Sequence, residues 1–203
     1  MKNVAILLSG RGSNFMAISD AIEAGEIPAR IVLVFSNKPE APGLAEARRR
    51  GYPASSISPQ KDQSRQDYDR LVAAELEKAQ TDIICLAGYM RIVSPYFVGR
   101  FPHRILNIHP SLLPAFPGLK AQQQALEWGA KVSGCTVHFV DEKLDHGPAI
   151  LQQAVPVKDD DTEESLSARI LVQEHRLYPE ALRIVCQDRH RIEGRRVLIA
   201  PGT

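Results

Sequence analysis

Four short, nearly unbroken apolar runs constrain this chain more than any other feature. They are residues 4–8 (VAILL), 31–35 (IVLVF), 83–87 (IICLA) and 105–108 (ILNI). A strand with one wet face alternates apolar and polar residues, whereas a strand covered on both faces reads as a continuous apolar run. Helical patterns separate the runs. Phe15, Ile18 and Ile22 recur at i, i+3 and i+7, and Gly25 supplies a stop. A shorter helix over 44–50 ends at Gly51. The clearest pattern spans 64–80, with Tyr68, Leu71, Val72, Leu76 and Ala79 as its apolar stripe and Ser64 as N-cap. This alternation predicts right-handed crossovers and an α/β fold: three layers around a mostly parallel twisted sheet, with a Rossmann-like N-terminal half.

The second half reads differently. Residues 110–131 are rich in Pro and Gly and carry a short helix near 122–128. Strands are expected over 135–140 and 150–157, joined by a polar loop over 141–148. A long helix follows over 162–187, with a kink at Pro179 as one possibility, and then a hairpin over 189–200 turning at Glu193 and Gly194. No repeat, low-complexity tract or linker interrupts the 203 residues, so one domain is expected.

Charge narrows the partners. With 25 basic and 24 acidic side chains the net charge is +1, which leaves no electrostatic footprint for a nucleic acid or an anionic membrane. Cys85, Cys135 and Cys186 are odd in number and far apart, so neither a disulfide framework nor a zinc site is expected, and a reducing compartment fits better. No targeting segment is expected, since the apolar run 4–8 is too short for a signal-peptide core, and no run approaches membrane length. The expectation is a cytoplasmic domain acting on small molecules, as a monomer or homodimer, without a metal.

Two segments carry chemistry. The first is Ser9-Gly10-Arg11-Gly12-Ser13-Asn14, between the first strand and the first helix. Glycines there let backbone N–H groups approach a ligand, and a helix N-terminus favours an anion. Ser13 and Asn14 either cap the helix or bind phosphate oxygens; the plain alternative is a strand–turn–helix connection. Phe15 stands where the dinucleotide fingerprint needs its third glycine, and Ser36-Asn37 where it needs an acid. A mononucleotide or sugar phosphate therefore fits better than a dinucleotide.

The second is Asn107-Ile108-His109-Pro110, which ends the fourth strand. Residues i and i+2 share a strand face, so Asn107 and His109 project together from a carboxyl end, where α/β sheets place ligands. A carboxamide can donate to a developing oxyanion, and an imidazole can move a proton near neutral pH. The alternative is a satisfied polar pair at a strand end. Asp145 is either a solvated loop acid or, if its loop folds back over the strand ends, a partner that raises the His109 pKa and fixes its tautomer. Glu174 falls on the apolar stripe of Leu166, Ile170 and Leu177, so it either reaches a cleft or snorkels to water from an edge.

These segments, with AGYMRIVS at 87–94, NIHPSLLPAFPGL at 107–119 and LDHGP at 144–148, resemble the glycinamide ribonucleotide formyltransferases, a family of folate-dependent enzymes of purine synthesis. The likeness runs through the whole chain in order. It implies a single formyltransferase domain over 1–203, with a phosphoribosyl-binding half (1–109) and a folate-loop and C-terminal half (110–203). It implies transfer of a formyl group from 10-formyltetrahydrofolate to the amine of 5'-phosphoribosylglycinamide. By the same likeness Asn107, His109 and Asp145 match a catalytic triad, in which His109 is the proton donor. Gly12, Ser13, Asn14, Phe15, Met16 and Glu174 match the phosphoribosylglycinamide site. Arg65, Met90, Arg91, Ile92, Val93, Asn107, Asp141 and Asp145 match the folate site. Three departures stand out: Arg11, the segment Lys120-Ala121-Gln122, and His146 beside Asp145.

Rival readings share the triad. A formyltetrahydrofolate deformylase would use water as acceptor and is expected to carry an extra N-terminal domain. A methionyl-tRNA formyltransferase is expected to carry a C-terminal RNA-binding domain and a basic surface. A length of 203 residues and a balanced charge favour neither. A non-catalytic phosphate sensor would leave Asn107 and His109 unexplained.

Overall fold

A computed structural model describes residues 1–200. The chain forms two compact units, Met1–Leu106 and the residues from Asn107 onward. Seven strands share one sheet, in the order β3-β2-β1-β4-β5-β6-β7.

In the first unit, β1 (Lys2–Leu8) pairs in parallel with β2 (Ala29–Ser36) and with β4 (Ile83–Leu86), and β2 pairs in parallel with β3 (Ala54–Ser56). Consecutive side chains of a strand point to opposite faces. Val4 through Leu8 are all fully buried, so both faces of β1 are covered, as the apolar run predicts. The helices are α1 (Ser13–Glu23), α2 (Pro42–Arg49), α3 (Arg65–Lys78) and α4 (Pro95–Arg100). Ser64 caps α3 as expected, its side chain accepting from the Asp67 N–H. Leu71 departs from the expected stripe: it is exposed, while Tyr68, Val72 and Leu76 are buried. It lies one residue from Val72, about 100° around the helix, and so turns away from the buried stripe. The three-residue β3 and six-residue α4 are too short to show a periodicity in the sequence.

The last three residues of β5 (Ile105–His109) open the second unit and include the Asn-His pair, and β6 (Val132–Phe139) pairs antiparallel with β7 (Ala149–Pro156). Every residue of β6 from Ser133 to Phe139 is buried, whereas β7 is largely exposed along its middle, as suits the last strand in the order. α5 (Ala121–Trp128) is followed, after β7, by α6 (Glu163–Cys186). α6 packs on β6, β7 and α5, and continues through Pro179. Its start is a capping box: Thr162 accepts from the Ser165 N–H, and Ser165 accepts from the Thr162 N–H. The chain closes with the antiparallel pair β8 (His190–Glu193) and β9 (Arg196–Ile199), turned through Gly194 and Arg195. No helix among the described residues is long and apolar enough to cross a membrane.

Candidate active site

In the first unit, the glycine loop leaves the end of β1 and opens α1. Gly12 is the N-cap, in the left-handed region at φ 76°, and no side chain caps the helix. The capping role considered for Ser13 and Asn14 is therefore not the one they play. A Cβ at Gly12 would lie 3.1 Å from the Gly43 Cα and 3.2 Å from Leu8, so both φ and space favour glycine. The Met16 N–H returns to the Gly12 carbonyl at 2.9 Å. The N–H groups of Ser13, Asn14 and Phe15 precede any intrahelical acceptor and carry the positive end of the α1 dipole. Phe15 offers only that backbone group, because its ring is fully buried, edge-on to Tyr52.

Ser9 ties the neighbouring strand ends together. Its hydroxyl donates to Asn37 Oδ1 at 2.5 Å and accepts from the Met90 N–H at 2.8 Å. Beyond that anchor Met90 and Ile92 are exposed, an apolar surface of the kind a flat heterocycle covers. The Arg91 guanidinium lies 4.2 Å from the centre of the Tyr68 ring. Arg65, the first residue of α3, is exposed.

The second unit holds the titratable cluster. His109 is buried at the end of β5, and its Nδ1 lies 3.4 Å from Asp145 Oδ2. Its Nε2 lies 2.9 Å from the Phe116 carbonyl, to which it donates. The imidazole is thus held between a carboxylate on one nitrogen and a carbonyl oxygen on the other. Asp145 sits at φ 48°, a left-handed conformation that Asp tolerates better than most residues. Its Oδ2 also accepts the Gly118 N–H at 2.8 Å.

Sequence reasoning missed His138. This residue of β6 donates from Nδ1 to the Phe139 carbonyl at 2.8 Å, which leaves the Nε2 lone pair as an acceptor. The Asn107 Nδ2 group lies 3.2 Å from that Nε2 and donates to it. The tautomer of His138 thereby assigns the orientation of the Asn107 amide, since its carbonyl end would find no proton there. Burial pushes the His138 pKa below its ordinary value, which keeps the ring neutral for this role. The Asp145 Oδ1 lies 3.9 Å away. The available signal was His138 lying in a strand with buried residues on both sides.

Asn107, His109 and Asp145 are thus brought together in one cluster. Glu174 is buried on α6 beside Cys135 of β6. Burial first, and the Glu174 charge second, push the Cys135 thiol up to about 12, so that sulfur is no nucleophile. Asp141 accepts the Lys143 N–H at 3.0 Å and pairs with His146 at 2.7 Å.

A strand-end histidine with a carboxylate on one nitrogen and an oxygen acceptor on the other suits proton transfer to an oxygen that gains charge. The chain belongs to the formyl transferase family, whose pattern matches residues 2–182. The phosphoribosylglycinamide formyltransferase of Escherichia coli (strain K12) is 46% identical over 177 residues, covering 87% of this chain and 84% of that protein. The trifunctional purine biosynthetic protein adenosine-3 of Drosophila melanogaster is 51% identical over 183 residues; the match covers 89% of this chain but spans only 14% of that relative's length. The structure of glycinamide ribonucleotide transformylase 1 from Symbiobacterium toebii superposes with a TM-score of 0.97 at 52% identity, covering 99% of this chain and 95% of that one.

Proposed function

We propose that this chain is one formyltransferase domain that moves the formyl group of 10-formyltetrahydrofolate onto the amine of 5'-phosphoribosylglycinamide. The observation that carries the chemistry is the alignment of Asp145, His109 and the Phe116 carbonyl. That carbonyl occupies the acceptor position on Nε2 that the formyl oxygen takes in the reaction.

The substrate amine attacks the formyl carbon, and the C=O π pair moves onto oxygen. The oxyanion is stabilised by the His109 Nε2–H and by the second N–H of the Asn107 amide, whose first is held by His138. Asp145 supports the imidazolium. The attacking nitrogen then loses its proton as the bond to the folate nitrogen breaks and that nitrogen gains one, through His109 or water. Both substrates must be held together, and this positioning supplies much of the rate. The glycine loop and the α1 N-terminus suit the phosphate, and Glu174 the remainder of that substrate. Met90 and Ile92, with Arg65, Arg91, Val93 and Asp141, suit the folate. The three cysteines are buried thiols outside any disulfide, which fits a cytoplasmic enzyme.

The test follows folate absorbance with and without the amine substrate. Turnover only with the amine supports the transferase, whereas turnover without it identifies a deformylase. Asn107→Ala and His109→Ala are each expected to lower kcat by roughly 100-fold or more with the fold intact. Near-normal turnover in either variant rules out this assignment.

A further inference from the structure

The mechanism above gives His146, the residue after Asp145, no part. The structure does connect it. We propose that Arg195, at the turn of the C-terminal hairpin, is a positioning residue that holds the Asp145 loop in its working conformation through His146. This rests on the proposed role of Asp145.

Arg195 meets the loop at two places. Its Nη2 donates to the His146 carbonyl at 2.7 Å. Its Nη1 lies 3.0 Å from His146 Nε2 and 3.2 Å from Nδ1. His146 Nδ1 in turn lies 2.7 Å from Asp141 Oδ2. The Nδ1–H therefore donates to the carboxylate, while Nη1, close to both ring nitrogens, lies over the face of the imidazole. Arg195, His146 and Asp141 form one chain of hydrogen bonds that ties the start of the loop to its end. Asp145 lies between those two anchors, in a left-handed conformation that persists only where the surroundings impose it.

The hairpin has its own footing. The His190 ring packs on Phe139, with ring centres 5.4 Å apart, and Phe139 is the last residue of β6 before the loop. The hairpin thus grips the strand that leads into the loop as well as the loop's far end. It lies beyond the residues that the family pattern matches, which end at 182. An isolated surface ion pair contributes little stability. Here a planar fork engages a backbone carbonyl and a ring together, and such a contact fixes position more than it adds stability.

The test is Arg195→Ala in the full chain. We expect kcat to fall on the order of tenfold, as for a catalytic group displaced by part of an ångström, with KM for the phosphoribosyl substrate within about threefold. Amide exchange is expected to quicken over residues 141–147 and to stay unchanged in β6 and α6. Millimolar guanidinium should restore part of the variant's kcat and leave the parent unaffected. Unchanged kcat and loop exchange would overturn the proposal. So would exchange that quickens equally in α6, or a loss that guanidinium does not relieve, because either marks a general structural role. Asp145→Asn runs in parallel. If it retains full turnover, the role of Asp145 fails; if it loses turnover while Arg195→Ala does not, only the present inference fails.

Discussion

Gly147→Ala tests how tightly the reacting geometry depends on the loop that carries Asp145. A Cβ at Gly147 would lie 1.8 Å from the Phe139 carbonyl oxygen, 2.9 Å from its carbon and 3.2 Å from the Asp141 N. All three obstacles are backbone, so no side chain can swing aside. The segment must retreat by more than 1 Å to reach even the 3.0 Å that real Cβ contacts essentially never undercut. It is pinned nearby, since the Phe139 N–H donates to the Pro148 carbonyl at 3.0 Å. Asp145 lies two residues before Gly147. A retreat of that size carries its carboxylate out of reach of the Gly118 N–H, now at 2.8 Å, and further from His109, now at 3.4 Å. A misplacement of about 1 Å in a reacting constellation costs on the order of 100-fold. Gly147→Ala is therefore expected to lower kcat about 100-fold, while KM for the phosphoribosyl substrate changes little. Steady-state kinetics on both substrates would read this, with circular dichroism to establish that the variant is folded. A folded variant with kcat within about threefold of the parent would refute the reasoning.

Two further outcomes are expected. Thr162→Ala removes half of the capping box of α6, whose hydrogen bonds involve none of the triad residues, and should cost about 1 kcal/mol of stability, read by urea unfolding, with kcat unchanged. His138 supplies a pH dependence. Its folded pKa lies below the ordinary 6.5, so on acidification the unfolded chain takes up the proton first. Stability should fall as pH drops through 6.5, by up to about 1.4 kcal/mol per pH unit, and level off once the folded histidine titrates too. His138→Gln should flatten that part of the profile of unfolding midpoint against pH; an unchanged profile would contradict the assignment.

Much of the fold was legible because burial on both faces leaves a local mark. The runs at 4–8, 31–35 and 83–87 became β1, β2 and β4, and Ser64 and Gly25 marked helix ends through their own backbone chemistry. Leu71 was misplaced because a stripe read from spacing does not say where its edge meets solvent. Within the candidate site, Asn107 and His109 could be set on one face because a strand has period two.

Other features depended on residues distant in sequence. That Asp145 lies 3.4 Å from His109 follows from a loop closed by the pairing of β6 and β7, 36 positions further along the chain. His138 gave no motif, because its part depends on which nitrogen the Phe139 carbonyl engages and on β5 lying beside β6. The link from Arg195 to His146 spans 49 positions and has no periodicity to announce it. The inner strands of the sheet, the glycine loop and the strand-end pair could be read from the residues, since each follows from local sterics and patterning. Which acid and carbonyl meet His109, and which ring meets Asn107, followed from the fold, because hydrogen bonds between distant residues depend on where the strands bring them.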